Sequence, residues 1–319
     1  MQTLGYKHFN KRQAQLKLLV SGTILLYLFY KANLRSISTT VASAQFIYYI
    51  LAVTVYIMVQ PLRTIRWGIL LKEKHIYLSQ ITLLGLYFVG MFFSSFLPTI
   101  GGDVIRGYYA GRASRSYDIS FASVITERLC GLFMIVLIGC ATSMCFVAAG
   151  EASTVIIVSM AGSFAVLFGI VLLFCSPLVS ALSGALHVLK GWSILNRIQE
   201  IYVAMLSYKS HPMALIWCAL LSLAFELAII LIHYLLSLSL AWNVPFSVFL
   251  YAVPLITIIT MIPVSFGGIG VREGAAVIFF APYGITAASA ITLSLLSYSI
   301  TLIAGAVGGI IYPFYRTNR

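Results

Sequence analysis

Arg106 and Arg272 occur in two copies of one short pattern, 166 residues apart and set within strongly apolar surroundings. The first copy is Pro98-Thr99-Ile100-Gly101-Gly102-Asp103-Val104-Ile105-Arg106. The second is Pro263-Val264-Ser265-Phe266-Gly267-Gly268-Ile269-Gly270-Val271-Arg272-Glu273. Each is a helix breaker, a glycine pair and an arginine four residues after the second glycine, with an acid nearby. A helix restarting after such a break points its first N–H groups back toward it and attracts anions there. An arginine about one turn into that helix adds a planar fork suited to phosphate oxygens. Two such starts make an anion-selective site that fits a phospholipid or polyprenyl-phosphate headgroup. The same residues allow a second reading, in which Asp103 and Glu273 pair with the arginines, within a motif or across the two, as an ion-pair lock. Both readings stay open at this point. Pro98, Gly101, Gly102, Pro263, Gly267, Gly268 and Gly270 are expected to shape the backbone at the two breaks.

Other polar residues join this list because charge in apolar surroundings is costly and marks function by default. Glu127 and Arg128 are placed about two turns into a long apolar segment that starts near Asp118, and are expected in the same polar cluster. Glu226 and His233 are seven residues apart and share a helical face. A hydrogen-bonded structural pair is one reading and proton coupling another, since histidine titrates near neutral pH. Gly305-x-x-x-Gly309 predicts a close helix–helix approach.

Other chemistries are not supported. Gly268-Ile269-Gly270-Val271-Arg272-Glu273-Gly274 resembles a dinucleotide loop only superficially, because the glycine spacing is off by one and no βαβ unit surrounds it. There is no P-loop, no H-E-x-x-H and no metal-ligand cluster, so neither a cofactor nor a metal is expected. The five cysteines, Cys130, Cys140, Cys145, Cys175 and Cys218, all fall in apolar runs without a C-x-x-C and read as small buried residues.

The elements that must position these residues follow from composition. The chain is 61% hydrophobic and 9% charged, with a mean hydropathy of +1.00. The class is therefore all-α polytopic membrane protein, read as a single integral-membrane domain over 1–319 with no room for a soluble catalytic domain. The net charge of +12 is spread over short loops. That is the positive-inside pattern rather than a nucleic-acid footprint, and it also draws anionic lipid by about 1 kcal/mol per residue near the surface.

Apolar segments lie at about 17–32, 42–59, 79–97, 119–149, 153–175, 213–241, 246–262 and 286–311. Lys7, Lys11, Arg12 and Lys17 precede the first without a small-x-small cleavage pattern, so a retained span is expected. The segment 178–208 repeats Leu and Ile at helical spacing between Lys190, Arg197 and Glu200. It reads as an amphipathic interfacial helix or an ordinary connector. A first hairpin at 79–112, re-entering from the cytoplasmic side, and a second at 246–280, entering from the opposite side, place 16 of the 20 Lys and Arg in cytoplasmic segments. These include Arg63, Arg66, Lys72 and Lys74, assigned to a loop at 60–79. Letting 79–97 cross completely would instead turn two basic loops outward. The expected architecture is about six full spans plus two oppositely oriented re-entrant hairpins, an inverted repeat with both termini cytoplasmic. Interrupted segments in corresponding places of two halves point to a transport site.

Three stretches also carry a resemblance: Phe96-Leu97-Pro98 through Gly101-Gly102-Asp103-Val104-Ile105-Arg106, Glu127-Arg128-Leu129-Cys130-Gly131-Leu132, and Ile262-Pro263 through Gly267-Gly268-Ile269-Gly270-Val271-Arg272-Glu273-Gly274. In this order the chain resembles, over nearly its whole length, the lysylphosphatidylglycerol synthase transmembrane-domain family. That family includes the membrane half of the bacterial multiple peptide resistance factor. The resemblance implies a lipid flippase or lipid transporter in the cytoplasmic membrane, with a membrane lipid as substrate. A separate soluble domain makes the lipid in the two-part relatives, so its synthase activity is not expected here. Arg106 and Arg272 would hold phosphate, while Asp103, Glu127 and Glu273 would orient them or meet a cationic part of the headgroup. The alternatives are an integral-membrane transferase using Asp103 or Glu127 as base, and a membrane partner of a lipid-modifying enzyme.

Overall fold

The computed structural model describes residues 34–96, 101–150, 154–173, 193–261, 265 and 268–317. The predicted span 17–32, Cys175, residues 178–192 of the amphipathic segment, and Pro98, Pro263 and Gly267 lie outside the described residues. Within them every regular element is helical. In chain order these are α1 (Leu34–Ala42), α2 (Phe46–Lys72), α3 (Gln80–Phe96), α4 (Gly101–Ser114), α5 (Tyr117–Ala148), α6 (Thr154–Leu173), α7 (Ser193–Leu206), α8 (Pro212–Ser239), α9 (Phe246–Met261), α10 (Val271–Phe280) and α11 (Ala287–Thr317).

Four helices among the described residues are long and apolar enough to cross a membrane: α2, α5, α8 and Ala287–Pro313 of α11. At 1.5 Å per residue, 27 residues extend about 40 Å, against a hydrocarbon core of about 30 Å. Gln80–Ser95, Met160–Leu172 and Phe246–Met261 are shorter apolar stretches. Large apolar side chains such as Met58, Ile81 and Ile310 face outward, as a bilayer-facing surface requires.

The structure corrects one boundary. The segment at 60–79, expected as a cytoplasmic loop, is helical as far as Lys72 because α2 continues through Pro61. An internal proline removes one hydrogen bond without ending a helix whose next turns are packed, and here Gln60, Thr64, Arg66, Trp67 and Leu70 beyond the apolar run are buried. Arg63 and Arg66 are therefore helical residues.

Helix neighbours follow a pattern that survives exchange of the two halves of the chain. α2 packs along α8. α3 pairs with α4, and α9 with α10. α4 also packs on α5 and α3 on α11; reciprocally, α10 packs on α11 and α9 on α5. α2 meets α3, α5 and α11, while α8 meets α9, α11 and α5. The approach of α11 to α3 is close: a Cβ on Gly305 would lie 3.0 Å from Ser95 Oγ, and one on Gly309 2.9 Å from the Phe92 ring. That is the packing expected of the Gly305/Gly309 pair.

The core divides unevenly. The largest apolar cluster among the described residues lies around α8 to α11, where the Trp242, Phe249 and Phe280 rings pack on one another in tilted and edge-on pairs. A smaller cluster, including Trp67, Leu83 and Tyr87, lies beneath α2, α3 and α4. It borders the buried charges.

Candidate functional site

Glu127 is fully buried on α5 and joins four helices. Arg66 of α2 donates to it from Nε at 2.8 Å and approaches with Nη2 at 2.7 Å. Arg106 of α4 donates from Nη1 at 2.5 Å, and the Tyr87 hydroxyl of α3 donates as well. Asp103, one turn before Arg106, accepts from Arg106 Nε at 2.9 Å and pairs with Arg128 Nη2 at 2.6 Å. Arg66 Nη1 reaches across to Ser222 Oγ on α8 at 2.8 Å. The adjacent residues Glu127 and Arg128 thus both enter the predicted cluster without pairing to each other, as their different directions on one helix require.

Arg63, Arg66, Arg106 and Arg128 here face two carboxylates, Glu127 and Asp103, with Glu226 of α8 across a cavity as a third acid. Aromatic faces support part of the excess charge. The Arg106 guanidinium lies 4.4 Å from the Tyr87 ring centre and 5.2 Å from that of Trp67, and Arg63 lies 4.8 Å from Tyr87 and 5.1 Å from Phe225. Trp67 is held by its Nε1–H donating to Ser123 Oγ at 2.9 Å. Even so, Arg106 Nη2, Arg63 Nε and Arg128 Nε are buried without a partner among the described residues. Buried donors are rarely left so, and an excess of cationic donors is what an anion completes.

The second motif is built differently. Gly270 has φ 85°, a conformation L side chains rarely adopt, and it caps α10. Glu273 reaches back so that Oε2 accepts the Gly270 N–H at 2.6 Å. This is the carboxylate half of a capping box. Its Oε1 accepts from Arg272 Nη2 at 2.7 Å and Nε at 3.1 Å. Arg272 lies 4.8 Å from the Tyr298 ring centre. The spacing predicted both arginines about one turn into a helix. Arg272 is instead the second residue of α10, whereas Arg106 is the sixth of α4, because the second break extends through Gly270 while the first helix starts at Gly101.

Among the described residues, ion pairs form within each motif and none links the two. A cavity does. It measures about 230 Å³ and is lined by Arg63, Arg106, Arg128 and Arg272, with Asp103 and Tyr298. The glycine pair sets its wall: a Cβ on Gly102 would run into the Gly90 carbonyl oxygen and Ser94 Oγ, so only glycine lets α4 cross α3 there. Glu127 stands behind Arg106, and Glu273 behind Arg272. A second cavity of about 310 Å³ shares Arg63, Arg128 and Arg272 with the first and adds Arg66 and Glu226. A third, about 220 Å³, shares Arg272 and contains His233. Glu226 and His233 do not form the expected hydrogen-bonded pair. His233 lies between the Ile229 carbonyl, 2.9 Å from Nδ1, and Ser297 Oγ, 3.1 Å from Nε2. No group of three or more metal-ligating side chains occurs among the described residues.

Arg63, Arg66, Tyr87 and Tyr298 were not among the expected site residues. The first two were left out because the apolar run stops at 59 and the basic residues after it were assigned to a loop. The three-residue step from Arg63 to Arg66, continuing the helical period, was the available signal. Tyr87 and Tyr298 sit in long apolar runs, where nothing local separates a site tyrosine from a packed one.

Residues 14–309 match the family model described as "Lysylphosphatidylglycerol synthase TM region". Among curated proteins the chain is similar to a UPF0104 membrane protein of Methanothermobacter thermautotrophicus, 24% identical over 300 residues, covering 85% of this chain and 86% of that protein. It is also similar to a UPF0104 membrane protein of Pyrococcus horikoshii, 24% identical over 322 residues, covering 93% and 95% respectively. No solved structure matches.

Proposed function

The chain belongs to the lysylphosphatidylglycerol synthase TM region family, and from that premise we propose that it moves a phosphate-bearing lipid headgroup across the cytoplasmic membrane of a prokaryote. One observation carries the reading: the arginines of two motifs 166 residues apart line a single cavity in which four arginines face one acid. At about 30 Å³ per water, that cavity holds the volume of seven or eight waters, enough for a phosphodiester headgroup whose tails stay in the bilayer. Arg272 and Arg128, whose side chains are 19% and 38% exposed, take the phosphate. Arg106, 2% exposed, is held by Glu127 and Asp103 and positions that wall.

The exchange-symmetric helix neighbours support an inverted repeat, with α3–α4 and α9–α10 as re-entrant hairpins from opposite faces and both termini cytoplasmic. Alternate opening of the halves then carries the headgroup through. Against the transferase alternative, both oxygens of Glu127 and of Asp103 are engaged by arginines, Tyr87 adding to those on Glu127, which leaves neither free as a base.

The test is movement of fluorescent phosphatidylglycerol across reconstituted vesicles. Arg272→Gln and Arg128→Gln are expected to fold and to slow movement at least tenfold. Wild-type rates in both folded variants would refute the headgroup site. Topology has its own test. Single cysteines at Arg115 and Pro282 in a cysteine-free background are expected to label from the cytoplasmic and the opposite side respectively, and labelling from one side alone would remove the hairpin arrangement.

A further inference from the structure

Glu226 is an acid without a hydrogen bond or ion pair among the described residues, and its surroundings are unusual for one. It lines the second cavity, of about 310 Å³, with Arg63 and Arg66 from α2, Arg128 from α5 and Arg272 from α10. α9 contributes Thr257, Thr260 and Met261, none of them charged. The other nearby carboxylate, Glu127, is bound to Arg66 and Arg106. His233, two turns along α8, lies outside this cavity and is engaged by Ile229 and Ser297. Gly131 borders the space between them: a Cβ there would make ordinary contacts of 3.7 Å with Glu226 Oε1 and 3.6 Å with Arg66 Nη1. No other acid lines this cavity among the described residues, and three of its arginines also line the headgroup cavity.

We infer that Glu226 couples headgroup movement to a proton, an inference that rests on the transport reading above. With the headgroup cavity empty, Arg63, Arg128 and Arg272 compensate the Glu226 carboxylate across open space. A phosphate taken up by those arginines cancels their charge and brings a second negative charge close by, in a setting where water screens little. The headgroup and a proton on a Glu226 oxygen therefore enter together. The proton comes from the aqueous phase on the loading side and leaves to the opposite phase when the headgroup departs. A monoanionic lipid and one proton cross with no net charge.

The experiment uses the full chain in vesicles with fluorescent phosphatidylglycerol, an internal pH dye and potassium–valinomycin potentials. Wild type is expected to move lipid with dye-reported proton movement and to ignore the potential. Glu226→Gln is expected to move lipid without protons, so that net negative charge crosses. Its equilibrium distribution then shifts about 50-fold per 100 mV. Glu226→Asp retains coupling, and Glu200→Gln, an acid on α7 away from these cavities, behaves as wild type. Lipid movement without protons in wild type overturns the coupling and leaves transport standing. Persistent coupling in Glu226→Gln also overturns it. If that variant fails to fold, the wild-type response to an imposed pH gradient and potential decides the question. No lipid movement in wild type removes the transport reading and the coupling with it.

Discussion

The two glycine–arginine motifs share a spacing and differ in what holds them. Arg106 is 2% exposed and is engaged by Glu127 and Asp103, with its guanidinium over the Tyr87 and Trp67 rings. Arg272 is 19% exposed and meets one acid, Glu273, which also caps its helix. Behind Arg106 lies a network of buried charge spanning α2, α3, α4, α5 and α8. Arg272 lies at the start of α10, whose far end, at Phe280, packs with Trp242 and Phe249. A repeated motif therefore need not repeat its surroundings: an arginine held by two acids in a low-dielectric interior is tied to its neighbours on two sides, whereas one with a single acid at a cavity wall is, under the proposed function, the one with capacity for an anion.

The sharpest way to break this comparison is at Glu127. Glu127→Gln leaves Arg66 and Arg106 buried with their main counter-charge gone, a change that costs about 3–5 kcal/mol for a buried pair. Loss of most folded protein, or a large fall in melting temperature in detergent, is expected. A change under about 1 kcal/mol would mean that water reaches these arginines and that the first motif is no more structural than the second.

The next largest effect tests backbone rather than charge. Gly102→Ala places a methyl group against the Gly90 carbonyl and Ser94. Overpacking of this kind costs about 1–3 kcal/mol, read as a fall in thermal stability, and narrows the cavity wall beside Arg106. A neutral result would show that α3 and α4 separate freely there.

How much of this was legible in the sequence follows from the same physics. Apolar runs and breaker residues identified the membrane class, the long helices α2, α5, α8 and α11, and the broken segments, because those features are local. Asp103, Arg106, Glu127, Arg128, Arg272 and Glu273 stood out because each is a charge in apolar surroundings. The division of acids among the arginines was not legible. Within-motif or cross-motif pairing depends on how α3, α4 and α5 cross, which is settled by contacts such as Gly90 against Gly102. The end of α2 was misplaced because its apolar run stops at 59, while the helix continues through Pro61 to Lys72 on buried polar residues such as Gln60, Thr64 and Arg66. That error moved Arg63 and Arg66 out of the site.

The smallest effect divides the second motif's two functions. Glu273 caps α10 and also neutralises Arg272. Glu273→Gln keeps a side-chain acceptor for the cap at the third helical position, where glutamine also serves in a capping box, and turns an NH2 that cannot accept toward Arg272, so the pair with Arg272 is lost. The stability change is expected to stay well below that of Glu127→Gln, because the arginine left unpaired is 19% exposed at a cavity wall and the cap survives. Arg272, no longer neutralised, gains net charge at the cavity wall. Retention of phosphatidylglycerol by the purified protein, measured as co-eluting lipid phosphorus, is therefore expected to rise two- to fivefold. A destabilisation comparable to that of Glu127→Gln would place Arg272 in a structural lock like that of Arg106, and the contrast between the two motifs would fail.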